Sequence, residues 1–157
     1  MFARILVPVD GSPTSNRGLA QAINLAKDQK AKLRALHVID QSFLAYDAYA
    51  MMGWDSVTKA LREAGEKVLA EAKRLATRGG VEVEGAMVET VQQRVADKIL
   101  QEAREWGADI IVMGTHGRRG FTHLVLGSDA EAVLHATRVP VLLVRAAADE
   151  GNADASR

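Results

Sequence analysis

Two periods of hydrophobic residues alternate along this chain, one typical of strands and the other of helices. Five short apolar runs, most of them rich in valine and isoleucine, predict β-strands at 4–9, 32–39, 81–88, 109–113 and 139–144. Four intervening stretches, with apolar residues three and four positions apart, predict helices at about 13–29, 56–78, 90–106 and 129–136. Strands that alternate with helices indicate an α/β protein with a doubly wound, mostly parallel sheet and helices on both faces.

Polar residues and proline mark where the predicted helices begin. Ser12 and Pro13 suit the N-cap and the first turn of the first helix. The sequence Thr90-Val-Gln-Gln93 has the form of a capping box, which predicts that the third helix begins there. Ser128 and Glu131 form a second such pattern at the start of the last helix.

Composition and charge limit the classes of protein and partner. With 157 residues, 48% of them hydrophobic, the chain fits a single domain over 1–146, and we expect the tail at 147–157 to be disordered. The absence of cysteine favours a cytoplasmic protein. No apolar run approaches the roughly 20 residues of a membrane helix, so we expect no membrane partner. Twenty basic and 20 acidic residues cancel, which gives no reason to expect a nucleic acid partner.

Two predicted strand ends carry residues that suit a phosphate-bearing ligand. In doubly wound sheets, ligands bind at the carboxyl ends of the strands. Asp10 follows the first strand, and its carboxylate can accept hydrogen bonds from sugar hydroxyls. After the fourth strand, glycines between Gly114 and Ser128 let backbone N–H groups approach phosphates, and the next helix turns its positive end toward them. His116 and Arg118 add local positive charge.

Other interpretations of these residues stay open. Asp10 can serve simply as a cap of the turn before the first helix, and Ser128 can cap the last helix without a ligand. His37 fits a core or edge histidine. The aromatic and methionine residues from Phe43 to Trp54 fit a lid over the ligand, a partner surface or ordinary packing. The glycine spacing matches neither the P-loop nor the dinucleotide-binding fingerprint.

The chain resembles the universal stress protein family in four segments that follow one another in order. Gly114-x2-Gly117-x9-Gly127-Ser128 is similar to the family's nucleotide-binding signature, Gly-x2-Gly-x9-Gly-Ser/Thr. The other segments are Ile5-Leu-Val-Pro-Val-Asp-Gly-Ser12, Leu36-His-Val38 and Val139-Pro-Val-Leu-Leu-Val-Arg145. The resemblance covers 1–146 and implies an adenine nucleotide alpha hydrolase-like fold, a five-stranded parallel sheet of order 3-2-1-4-5. It also implies a nucleotide between the first and fourth strands, and a homodimer through the last strand, from Val139 to Val144.

The same resemblance implies the residues of the nucleotide site. Pro8, Val9 and Asp10 would meet the ribose and the adenine, and Val38 would line the adenine pocket. The remaining residues would lie beside the ribose or hold the phosphates: Met113, Gly114, His116, Gly117, Arg118, Gly127 and Ser128.

Asp129 and Ala130 depart from the family pattern, because ATP-binding members often have Val and then Ser or Thr at these positions. A hydroxyl is missing and a carboxylate is gained beside the expected phosphates. That carboxylate repels a triphosphate unless Mg²⁺ bridges the two. ATP is therefore favoured, with AMP and ADP open, and Mg²⁺ would be held with the phosphates and not by protein side chains alone.

Three functions are compatible with this sequence. The first is a dimeric stress-response protein in which an adenine nucleotide acts as a regulatory ligand. The second is a slow ATPase or self-phosphorylating enzyme that uses the same pocket; His116 is its one nearby candidate base, and we expect no efficient turnover. The third is a nucleotide-free dimeric adaptor or chaperone-like protein, which the glycine pattern disfavours.

Overall fold

Strands and helices alternate along the whole described chain. The computed structural model describes residues 1–45, 53–115 and 126–145, so the tail predicted at 147–157 lies outside it. The elements are β1 (Arg4–Pro8), α1 (Pro13–Gln29), β2 (Lys32–Asp40), a 3₁₀ helix (Ser42–Ala45), α2 (Trp54–Arg78), β3 (Val83–Thr90), α3 (Val95–Trp106), β4 (Ile110–Gly114), α4 (Ser128–Ala136) and β5 (Val141–Val144). All five predicted strands and four predicted helices are present.

Two strands, β3 and β5, begin two residues later than predicted, and each does so for an identifiable reason. Val81 donates its N–H to the carbonyl of Ala76, 2.9 Å away, so it belongs to the end of α2 and not to β3. Pro140 has no N–H, and only its carbonyl takes part in pairing, by accepting the N–H of Ile111 at 3.0 Å. Each of these strands therefore begins two residues after the first residue of its apolar run.

The sheet has the order β3-β2-β1-β4-β5, and every pair of neighbouring strands is parallel. This confirms the fold and the strand order that the family resemblance implies. The chain moves outward from β1 through β2 to β3, and then returns across the sheet to form β4 and β5 on the other side of β1. The strand order therefore reverses between β1 and β4, where ligands of such sheets bind.

Two apolar layers cover the sheet, one on each face. Alternating residues of β1 point to opposite layers, and Ile5, Leu6 and Val7 are all fully buried. Ile5 and Val7 pack with α1 and α2, whereas Leu6 packs with α3 and α4. Because both faces are covered, β1 and β4 are almost continuous apolar runs, as the sequence pattern predicts.

The third helix begins later than the predicted capping box. Thr90 ends β3, and its hydroxyl both accepts the N–H of Gln93 at 3.1 Å and donates to the carbonyl of Gln93 at 2.7 Å. These bonds close a local turn. The helix begins at Val95, where the carboxylate of Asp97 accepts the N–H of Arg94 at 3.3 Å. The prediction of a helix start at Thr90 is therefore wrong.

Asp109 fixes the start of β1 against the start of β4. One carboxylate oxygen, Oδ2, accepts the backbone N–H groups of Ala3 at 2.5 Å and Arg4 at 2.8 Å. The N–H of Asp109 in turn donates to the carbonyl of Arg4 at 2.9 Å. These two hydrogen bonds hold the pKa of the Asp109 carboxyl below its ordinary value, and the bond from Ala3 has the larger effect.

We predict that the substitution Asp109→Asn lowers the free energy of unfolding at neutral pH, and that this loss shrinks in acid. A carboxyl whose folded pKa is depressed contributes its full stability above the unfolded pKa, about 3.9 for aspartate, and loses it as the pH falls through the folded pKa. Urea unfolding of both proteins between about pH 6 and pH 3 measures the difference. The exposed Asp28 makes Asp28→Asn a control of equal charge change. A difference that stays constant over this pH range would contradict the prediction.

Candidate functional site

A crevice opens between the carboxyl ends of β1 and β4. These strands pair at two positions, Ile5 with Ile110 and Leu6 with Ile111. The flanking ladders run further toward the carboxyl edge, since β1 stays paired with β2 up to Pro8 and β4 stays paired with β5 up to Gly114. The two central strands therefore separate at the point where the strand order reverses.

The turn after β1 holds Asp10 at one side of this crevice. Its Oδ1 accepts the N–H of Ser12 at 2.8 Å, and its own N–H donates to the hydroxyl of Ser15 at 3.0 Å. The Ser12 hydroxyl caps α1 by accepting the N–H of Ser15 at 3.2 Å. Asp10 is thus a turn residue, as one interpretation predicts. A carboxylate accepts several hydrogen bonds, so a ligand contact is compatible with this role.

The N-terminus of α4 lies at the other side, beside the end of β4. Thr115, which follows β4, donates its N–H to the carbonyl of Val144 at 3.0 Å. Its carbonyl accepts the N–H of Gly127 at 2.8 Å. These two bonds bring the first turn of α4 to the carboxyl edge of the sheet.

Gly127, and not Ser128, occupies the N-cap position of α4, and as a glycine it has no side chain with which to cap the helix. Ser128 is the first helical residue, so the predicted capping box of Ser128 and Glu131 is wrong. The first intrahelical bond joins the N–H of Glu131 to the carbonyl of Gly127 at 2.9 Å. The N–H groups of the three residues before Glu131 have no acceptor within the helix, which suits an anion.

Three of the predicted site residues have side chains that belong to the core. Val9, Met113 and Ala130 are 4%, 6% and 3% exposed. Val9 packs on the α1 and α2 side, and the other two pack on the α3 and α4 side. Their backbone atoms are therefore what they present to the crevice. Val38 is half-buried at the end of β2.

Gly114 has a packing role that its place in the glycine-rich stretch did not reveal. A Cβ at this position would lie 2.8 Å from both the methyl group and the carbonyl oxygen of Thr14 in α1. A Cβ on Gly18 would lie 3.1 Å from the nitrogen of Gly114. The two glycines let the first turns of α1 approach the end of β4.

Sequence reasoning missed Ser15, Gly18 and Thr115, which position the two sides of the crevice. Gly18 carried a usable signal, because an isolated glycine inside a helical pattern often marks a close approach of backbones. Ser15 and Thr115 carried none, since serine and threonine are ordinary in turns and at helix starts.

Some predictions fall outside the described residues. His116, Gly117 and Arg118 belong to this group, as does most of the segment from Phe43 to Trp54. Within the described parts of the chain, no cluster of three or more histidine or acidic side chains is placed to hold a metal ion. In those same parts, no helix has the length and apolar character needed to cross a membrane.

A second concave surface lies at the opposite edge of the sheet, at the amino ends of β2 and β3. Its lining includes four lysines, Lys27, Lys30, Lys32 and Lys73, together with Glu82 and Glu84. Both α1 and α2 end there, and cations near helix C-termini complement the negative end of the helix dipole. Lys27 in the last turn of α1 and Lys30 at its C-cap have the positions that suit this role.

Comparison with known proteins identifies relatives along most of the chain. The model of the universal stress protein family matches residues 1–145. A universal stress protein of Methanocaldococcus jannaschii is 36% identical over 146 residues, which cover 92% of this chain and 83% of the relative. The universal stress protein YxiE of Bacillus subtilis is 34% identical over 151 residues, which cover 92% of this chain and all of the relative.

Solved structures agree with these relatives. A universal stress family protein from Burkholderia pseudomallei has a TM-score of 0.71 at 37% identity, covering 92% of this chain and 96% of that one.

Two further likenesses, each at 22% identity, concern the fold alone. One is a universal stress protein in complex with cAMP, with a TM-score of 0.69 over 93% of this chain and 98% of that one. The other, from Archaeoglobus fulgidus in complex with dAMP, has a TM-score of 0.66 over 90% and 97%. With the family model matched over 1–145 and close relatives along nearly the whole chain, this chain belongs to the universal stress protein family.

Proposed function

We propose that this protein binds an adenine nucleotide in the crevice between β1 and β4. The observation that carries the proposal is the early end of the β1–β4 ladder, with the Asp10 turn on one side and the N-terminus of α4 on the other. A carboxylate suits ribose hydroxyls, and a helix N-terminus suits phosphate. Family members of the same fold in complex with cAMP and dAMP give further support.

The base would lie against the end of β2, next to Val38. The last bond between β1 and β2 runs from the N–H of Val9 to the carbonyl of Leu36, at 2.8 Å. In a strand, the N–H and C=O of one residue point to one neighbouring strand and those of the next residue to the other. Val38 is two residues after Leu36, so its N–H and C=O also lie on the β1 side. A donor and an acceptor side by side complement the ring nitrogen and the amino group of adenine. Pro8 and Val9 complete this part of the site.

The phosphates would lie at the start of α4, against the backbone of Gly127, Ser128 and Ala130. Of Ala130, only the backbone is available, since its methyl group is buried in the core. His116, Gly117 and Arg118 complete the phosphate site in this proposal, with Met113 and Gly114 beside the ribose. Asp129 places a carboxylate in the same helical turn. We propose ATP with Mg²⁺ as the principal ligand, because the metal ion offsets that charge, with AMP and ADP as alternatives.

The second part of the proposal is a homodimer through β5. This strand lies at an edge of the sheet, and Leu142 within it is 41% exposed. Among the described residues, no strand pairs with its outer side, and an edge strand with an exposed leucine is well suited to pair with a second copy of itself. The segment from Val139 to Val144 would then lie in the dimer interface, and the nucleotide would act as a regulatory ligand of a dimeric stress-response protein.

The first test is to identify the ligand. We expect mass spectrometry of the denatured, purified protein to detect an adenine nucleotide. We also expect ATP, with Mg²⁺, to raise Tm by several degrees, because a ligand at about a hundred times its Kd adds about 2.7 kcal/mol to stability. ADP and AMP are titrated alongside, and phosphate release over hours separates binding from slow hydrolysis. Absence of both a released nucleotide and a Tm shift would refute the proposal.

Two variants separate the ligand role of Asp10 from its turn role. Asp10→Asn keeps an oxygen for the N–H of Ser12 but loses the carboxylate, so we expect Kd for AMP to rise by about tenfold with little change in Tm. Ser12→Ala removes the cap of α1, so we expect a stability loss of about 1 kcal/mol and a much smaller change in Kd. Calorimetric titration and urea unfolding measure the two quantities. Equal Kd values for Asp10→Asn and wild type would place the ribose elsewhere.

Removal of the Asp129 carboxylate should favour the more highly charged ligand. We expect Asp129→Asn to lower Kd for ATP by roughly three- to tenfold in the absence of Mg²⁺ and to lower Kd for AMP less, because the repulsion grows with phosphate charge. The gain should shrink when Mg²⁺ is added or the salt concentration is raised. Glu131→Gln makes the same charge change in the first turns of α4 and serves as the control. A gain that is equal for ATP and AMP would contradict this prediction.

A charge within β5 should separate the two copies. We expect Leu142→Arg to shift the protein from dimer to monomer in light scattering coupled to gel filtration, because it places unpaired charges at the interface. The matched control is Val91→Arg, since Val91 is 43% exposed and follows β3 at the opposite edge of the sheet. A wild-type monomer, or a dimer that survives in Leu142→Arg, would refute the interface.

A further inference from the structure

His37 makes a specific bond inside the core, which the prediction of a core or edge histidine did not include. It is 6% exposed, and its Nδ1 lies 2.8 Å from the carbonyl oxygen of Val9. Helix α2 packs against the other side of the ring, where a Cβ on Gly65 would lie only 2.7 Å from Cδ2 of His37. The ring is therefore confined between α2 and the end of β1.

The partner of His37 determines where its proton lies. A carbonyl oxygen only accepts hydrogen bonds, so the short contact requires that Nδ1 carries the proton and donates it to Val9. The tautomer with its proton on Nε2 would place two acceptors against each other, at a cost in a buried site.

The bond from His37 takes the place of the next rung of the β1–β2 ladder. Val9 donates its N–H to Leu36, and in a continued parallel ladder the carbonyl of Val9 would accept the N–H of Val38. Among the described residues, no hydrogen bond joins these two groups. The carbonyl of Val9 instead accepts a hydrogen bond from Nδ1 of His37, and the chain then enters the Asp10 turn.

We propose that His37 is a positioning residue for the nucleotide base. By holding the Val9 carbonyl, it ends the ladder one rung early and leaves the N–H and C=O of Val38 open at the crevice. It also sets the direction in which the chain enters the Asp10 turn. The use of Val38 by a base rests on the proposed function, whereas the bond from His37 and the open N–H of Val38 do not.

Two variants test the bond without any nucleotide. His37→Asn keeps an N–H donor close to the position of Nδ1, and His37→Leu fills the site without a donor. In the wild type at about pH 8, ¹⁵N NMR should find the proton of His37 on Nδ1, and the amide of Val38 should exchange its hydrogen rapidly for a β-strand residue. In His37→Leu the carbonyl of Val9 is released to Val38, so that amide should become protected, whereas in His37→Asn it should stay open. A proton on Nε2, or a protected Val38 amide in the wild type, would overturn the proposal.

Base selectivity provides the functional measurement. We expect the ratio of Kd values for GMP and AMP to fall by about tenfold in His37→Leu, the size expected for one lost hydrogen bond, and to be retained in His37→Asn. If His37 had a merely structural role, the loss of selectivity would follow the loss of stability. His37→Asn would then have the larger effect, because the smaller asparagine is the poorer substitute for a buried ring. His135→Asn and His135→Leu are the matched controls, because the His135 side chain is 79% exposed on α4. Unchanged selectivity in His37→Leu, in protein shown to be folded by circular dichroism, would overturn the proposal.

The two sets of measurements separate the two proposals. A wild-type protein that binds no nucleotide refutes the proposed function, whereas the tautomer of His37 and the exchange rate of the Val38 amide still decide whether His37 ends the β1–β2 ladder.

Discussion

The separation of β1 from β4 beyond Leu6 and Ile111 is the constraint on which the rest of the site depends. It follows from the strand order, because the connections that leave the carboxyl ends of β1 and β4 lead to helices on opposite faces of the sheet, α1 and α4. The Asp10 turn, the end of β2 and the start of α4 therefore surround a space that backbone pairing does not fill.

Three glycines allow the helices to pack closely on the strand ends that surround the crevice. Gly18 and Gly114 let α1 approach the end of β4, and Gly65 lets α2 approach the ring of His37. An added Cβ would lie 2.7 Å from its nearest neighbour at Gly65 and 2.8 Å at Gly114, distances that real side chains hardly ever reach, and 3.1 Å at Gly18, which is tighter than most real contacts. Gly114 thus belongs to the family signature and is also required by helix packing, so its presence by itself does not prove a phosphate contact.

Charge acts locally in this molecule, since its formal net charge is zero. At the amino edge of the sheet, the carboxylate of Asp109 fixes the first residues of β1, and lysines lie beside the ends of α1 and α2. At the carboxyl edge, the N-terminus of α4 carries the positive end of a helix dipole, and Asp129 lies in its first turn. The two edges therefore differ in the charged groups that they present.

The sequence by itself determined which segments are strands and which are helices, because apolar periodicity and turn residues are local properties of the chain. It also determined the family, since the spacing of Gly114, Gly117, Gly127 and Ser128 can be recognised in the sequence alone. Only the tertiary structure decided that Gly127 and not Ser128 begins α4, that Gly114 packs on Thr14, and that His37 holds the carbonyl of Val9. Each of these depends on residues that are distant in sequence or on a backbone direction that folding sets, and no local pattern contains that information.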